Sequence, residues 1–138
     1  MSSFKVFDIA GSALSAQSVR MNTVASNLAN ANTVTGDKDK VYKARYPVFE
    51  SVAAAAARGQ EAGAAVRVTD VIESDKPALA RYEPGNPVAD AQGYVYAPDI
   101  NAVEQMVDMI AASRSYQNNI EVMNASKEML LATLRLGQ

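Results

Sequence analysis

Along the first 31 residues the apolar positions fall three and four apart: Phe7, Ala10, Leu14, Gln17, Met21, Val24, Leu28 and Ala31. This is the seam of one amphipathic helix, with Gln17 as its long polar member. The spacing predicts a helix that starts near residues 2–4 and fades at 30–33. Asparagine tolerates the left-handed conformation that ends helices, so Asn30 or Asn32 is the expected C-cap. The cluster Asn27, Asn30 and Asn32 reads first as helix termination, and more sharply as a subunit contact. A lone amphipathic helix cannot bury its own stripe, so the seam needs a partner.

The partner is predicted at the other end of the chain. Asn101 stands three residues before Glu104, a capping box with Asn in the place of Ser or Thr. From there Met106, Met109, Ser113, Tyr116, Ile120, Met123, Lys127, Leu130 and Leu134 keep the three-four spacing, and Gly137 supplies the stop. Residues 101–136 then form a helix of roughly 54 Å at about 1.5 Å per residue. A second apolar flank, Val103, Val107, Ile110 and Leu131, makes its greasy surface wider than one antiparallel neighbour covers. Either the middle of the chain folds back over the excess or other subunits cover it. Gln17, Ser113 and Lys127 interrupt the stripes and are placed to set register.

Between the helices the pattern turns extended. Residues 34–40 are a charged loop, and 41–50 carry Tyr42, Tyr46, Val48 and Phe49, with Pro47 favouring an edge strand. Five consecutive alanines and then Gly59 and Gly63 make 51–65 a short helix or a loop. Residues 65–73 are the clearest strand. Their alternation slips after Thr69, which predicts a bulge or a strand end, and 76–83 are expected to pair with them. Pro84, Gly85, Asn86 and Pro87 mark a turn, and Tyr94, Val95 and Tyr96 a last short strand. The fold class is therefore α+β: long N- and C-terminal helices paired as an antiparallel coiled coil, with a small β-rich insertion between them. In domain terms, residues 1–33 and 99–138 make the helical part, and 34–98 the insertion.

Composition narrows the chemistry. The 138 residues are 49% hydrophobic, but much of that is alanine and only 7% is aromatic, so a thin core is expected. Zero Cys removes thiolate metal sites and a cysteine nucleophile, and zero His removes the commonest metal ligand and general base. No catalytic, cofactor-binding or metal-binding residue is assigned, and an enzyme is not expected. A net charge of -2 gives no basic face for nucleic acid. No stretch is apolar enough to span a bilayer, and no cleavable secretory signal is expected at the N-terminus.

The run Gly11, Ser12, Ala13, Leu14, Ser15, Ala16, Gln17, continued by Met21, Asn22 and residues 26–33, resembles the N-terminal signature of bacterial flagellar rod and hook proteins. Residues 113–119, with Lys127, Glu128, Met129, Leu130 and 134–138, are similar to their C-terminal signature. Tyr82 to Pro87 and Gly93 to Val95 resemble the proximal-rod branch of that family. So does the loop 34–41, which sets Tyr42 and Lys43 apart from Thr33. The resemblance implies a structural subunit of the flagellar basal body, exported by the flagellum's own type III apparatus and assembled in the periplasm. It further implies contacts with other rod proteins, with the adaptor between rod and membrane ring, and with copies of itself. Helix pairing and assembly are expected to rest on Leu14, Met21, Val24, Leu28 and Asn30, and on Met106, Met109, Ile110, Tyr116, Ile120, Met123, Leu130 and Leu134. The rival from another class is a soluble helical binding module such as an export chaperone or adaptor.

Overall fold

Two long helices hold the ends of the chain in the computed structural model, which describes residues 3–53 and 63–136. Helix α1 is Ser3–Asn30 and helix α2 is Ala102–Leu136. Between them run β1 (Arg45–Ala53), β2 (Ala64–Glu73), β3 (Leu79–Tyr82) and β4 (Tyr94–Ala97), an α+β order.

Helix α1 has no proline and one glycine, so little opposes its 28 residues. It stops at Asn30, where the backbone N–H and hydroxyl of Thr33 both donate to the Asn30 carbonyl, at 3.1 and 2.8 Å. The Asn30 side chain turns back to the Ser26 carbonyl at 2.9 Å. At the start of α2, Asn101 Oδ1 accepts from the amides of Val103 (3.0 Å) and Glu104 (3.3 Å), the cap that the sequence predicts. Gly137, the expected stop, lies outside the described residues.

β1 and β2 form an antiparallel hairpin in which Val48 faces Asp70 while Phe49 faces Val68, so Thr69 is the extra residue of a bulge. The slip in hydrophobic alternation after Thr69 is this bulge. The predicted pairing of 76–83 with 65–73 is corrected: β3 pairs with β4 in a second, separate sheet. Two physical reasons decide it. The turn at 84–87 and the Asp90 loop return the chain to β3 over a short distance, at small loop-closure cost. One point on the far edge of β2 is also taken, because the Val66 amide donates to Ser12 Oγ of α1 at 3.1 Å. The connector proposed for 51–65 is partly strand, and its residues 54–62 lie outside the described residues.

β4 is held from both sides. Thr35 exchanges two backbone hydrogen bonds with Tyr96, at 3.0 and 2.7 Å, and Val95 and Ala97 are buried beneath. In the loop before β4, the Asp90 carboxylate accepts from the amides of Gln92 (2.9 Å) and Tyr94 (2.8 Å) and from the Tyr96 hydroxyl (3.2 Å). Gly93, at φ 84°, takes the left-handed turn that this loop needs. The Tyr94 amide is the main cause holding the Asp90 carboxyl below the ordinary aspartate value. The contribution of Asp90 is thus complete above the ordinary value and is lost as pH falls through the lower folded one. Protection of the Gln92 and Tyr94 amides, relative to their intrinsic exchange rates, is expected to fall in that acid window. The same loss is expected at neutral pH in Asp90→Ala; protection independent of both would contradict this.

Helix α1 is the scaffold, packed on one side by α2 and on another by the β1–β2 hairpin. The core is thin, as the composition implies. Its buried apolar residues are Ala10, Ala16, Val24, Ala31, Ala44, Val95, Ala97 and Ala112, and the two largest fully buried side chains are Val95 and Asn27.

Candidate assembly interface

On α1, Ala10, Ala16, Val24 and Asn27 are buried, as is Ala31 just past its end, while Phe7, Leu14, Gln17, Met21 and Leu28 of the expected seam are half-buried. Gln17 Oε1 is sealed from solvent without a hydrogen-bond partner, the one mismatch recorded in this seam. Asn30 is half-buried and serves the helix end.

On α2 the buried face differs from the expected one. Buried there are Gln105, Ala112 and Ser126, with Asn119, which continues their seven-residue spacing, and Met109, Ser113, Tyr116, Met123 and Leu130 half-buried beside them. The second of these rows belongs to the predicted seam. The first replaces the row of Met106, Ile120, Lys127 and Leu134, a step of one residue or about 100° around the helix. Met106, Ile120 and Leu134 are exposed, as is Ile110. Small side chains at 112 and 126 let the helices approach closely, and Gln105 has a buried partner on α1. Bulkier apolar residues are left to face away.

The consequence is a stripe with helical spacing of its own. Val103, Met106, Val107 and Ile110 are 68%, 51%, 60% and 54% exposed, at positions i, i+3, i+4 and i+7. Further along, Met129, Leu131, Leu134 and Leu136 are exposed too. α1 is the only helix or strand that α2 packs against extensively among the described residues, and α1 lies on the opposite side. Contiguous apolar patches of this kind mark interaction sites, since each such side chain gains roughly 1.5–3 kcal/mol on full burial.

One polar cluster joins α1, the hairpin and α2. Asn27, fully buried, donates through Nδ2 to the Arg45 carbonyl (2.9 Å) and to Gln105 Oε1 (3.0 Å). Its Oδ1 accepts from the Arg45 amide (2.8 Å) and from the Tyr42 hydroxyl (3.0 Å). Both donors and both acceptor sites are used, which is all that an amide side chain has. Burial raises the Tyr42 phenol above its ordinary value against the opposing Arg45 charge, keeping it a donor. Beside the cluster, Arg20 pairs with Asp108 across the helices at 2.9 Å. Sequence reasoning grouped Asn27 with the helix-ending asparagines. Its position between Val24 and Ala31 on the buried face was the available signal; Gln105, Tyr42 and Arg45 gave none.

Glu73, one of two acids close together at the end of β2, is paired with Arg45 at 3.3 Å. Among the described residues no group of three or more His, Cys, Asp or Glu is placed to hold a metal ion. No described helix is long and apolar enough to cross a membrane.

A helical scaffold whose apolar stripe no described element packs against points to a protein of assemblies. Comparison with known proteins says which kind. Residues 7–36 match the family described as flagella basal body rod protein, and residues 91–136 match the C-terminal family of the flagellar basal body rod FlgEFG proteins. Over 138 residues, covering all of both chains, the sequence is 54% identical to the flagellar basal-body rod protein FlgC of Escherichia coli O6:H1. The same identity and coverage hold for FlgC of Salmonella typhimurium. FlgC of Bacillus subtilis is 35% identical over 150 residues, again with both chains fully covered. The chain belongs to the flagellar basal-body rod protein family, among the FlgC proteins, and is a structural subunit of the proximal rod.

Proposed function

We propose that this subunit builds the torque-transmitting shaft by polymerising through its terminal helices, and the observation that carries this is the exposed stripe Val103, Met106, Val107 and Ile110. The two helices act as one axial unit, an antiparallel coiled coil formed by residues 1–33 and 99–138. Support for the antiparallel sense comes from Asn27 meeting Gln105 and Arg20 meeting Asp108, since one partner number rises as the other falls. Residues 34–98 form the outward insertion. Close-packed helices along an axis resist twisting because many dispersion contacts must shear together. No reaction is assigned to the chain.

In this reading the helices line the export channel, and the stripe on α2 is covered by neighbouring rod subunits, including copies of this chain. The adaptor between rod and membrane ring is the remaining contact. The chain leaves the cytoplasm through the flagellar type III apparatus without a cleaved signal and is assembled in the periplasm. An Escherichia coli strain lacking its own FlgC and supplied with this chain is expected to swim, with the chain recovered in purified basal bodies. Retention of the chain in the cytoplasm as a small soluble complex would favour the export-chaperone alternative.

A further inference from the structure

We propose that Asn27 is a positioning residue whose amide latches the β1–β2 hairpin along α1 while α2 is in place, so that the sheet and the helix pair turn as one body. The turning rests on the rod reading; the latch rests on the hydrogen bonds themselves.

Asn27 takes both backbone groups of Arg45, as a neighbouring strand would. It thereby closes the edge of β1 at the point where the chain enters the hairpin. That base is stiff, because Arg45 is paired with Glu73 across the strands and the Ser74 amide donates to the Ala44 carbonyl at 2.8 Å. Fixing Arg45 therefore fixes both strands. The remaining Asn27 N–H is held by Gln105 in the first turns of α2. If the Gln105 acceptor is lost while α2 stays in place, a buried donor is orphaned, and rotating the amide to satisfy it breaks the Arg45 pair.

A second tie lies further along the same helix, where Ser12 Oγ accepts from the Val66 amide opposite Ser51. From Asn27 to Ser12 is about 22 Å of helix, and from Arg45 to Ser51 about 20 Å of strand. The hairpin thus runs lengthwise along α1, pinned near base and tip. The single Ser12 bond does not hold the tip alone, so without the Asn27 tie the hairpin swings away from α1 along its length.

The chain has no cysteine, so Ser12→Cys with Val66→Cys creates one intrachain disulfide that reports hairpin docking. Expressed in cells lacking their own FlgC and oxidised in purified basal bodies, this pair is expected to close. Asn27→Asp keeps the shape of the side chain but loses both donors. Gln105→Met removes one acceptor, and each change is expected to lower the closed fraction about tenfold. Tyr42→Phe is expected to stay within about twofold, because the Arg45 amide still serves Oδ1. Closure at the parent level in Asn27→Asp or Gln105→Met overturns the latch. If Asn27→Asp does not reach basal bodies, Gln105→Met decides in the same way. If the cysteine pair is absent from basal bodies that the unsubstituted chain enters, the latch is judged by the same comparison on the soluble chain; absence of the unsubstituted chain counts against the rod reading instead.

Discussion

Val24→Asp is expected to abolish cooperative folding at neutral pH. Val24 sits in the α1 seam with 5% of its surface exposed. A carboxylate there replaces an apolar contact and has no cation placed to pair with it; Arg20, one turn away, is already engaged with Asp108. A buried, uncompensated charge costs about 3–5 kcal/mol. Domains of this size hold only about 5–15 kcal/mol in reserve, and a core built largely of alanine belongs near the lower end. Circular dichroism on heating should show the loss of the transition, and cells carrying the variant should not swim. Val24→Ala, which loses methyl groups without burying charge, should cost only about 1–2 kcal/mol and leave swimming intact. A folded, motile Val24→Asp chain would mean that the α1 seam is not the core.

Ile110→Asp is expected to separate folding from assembly. Ile110 lies on the side of α2 that no described residue covers, so a charge there changes the stability of the single chain by no more than about 0.5 kcal/mol. In the proposed assembly the same position is enclosed by neighbours, and a carboxylate in such an interface costs several kcal/mol in every subunit. The melting curve should match the parent while motility and recovery in basal bodies are lost. Met106→Asp should behave alike. Normal swimming with either charge would remove the stripe from the assembly surface.

The two variants mark what sequence reasoning resolved and what it did not. The α1 stripe was readable because between Ala10 and Ala31 only Val19 among the larger apolar residues lies off it. Helix α2 is apolar on two adjoining flanks, and a three-four spacing fits either row. What decides between Met106 and Gln105 is not hydrophobicity but closeness of approach: Ala112 and Ser126 permit contact, and Asn27 offers Gln105 a buried partner. Such a pairing, 78 residues apart, leaves no trace in periodicity. The bulge at Thr69 was legible because a slipped register reverses the faces of a strand. The partner of residues 76–83 was not, since Ser12 takes its point on the edge of β2 only once the chain is folded. The excess width of the apolar surface on α2 was visible from the start, and the exposed part of it is the stripe proposed for assembly.

Cryo-electron microscopy of basal bodies carrying this chain, at side-chain resolution, tests the central claim most directly. Apolar contact means heavy atoms within about 4.5 Å. The account predicts Val103, Met106, Val107 and Ile110 of each copy in such contact with helices of neighbouring subunits. A map in which this stripe faces solvent, with subunits joined instead through residues 34–98, would contradict it.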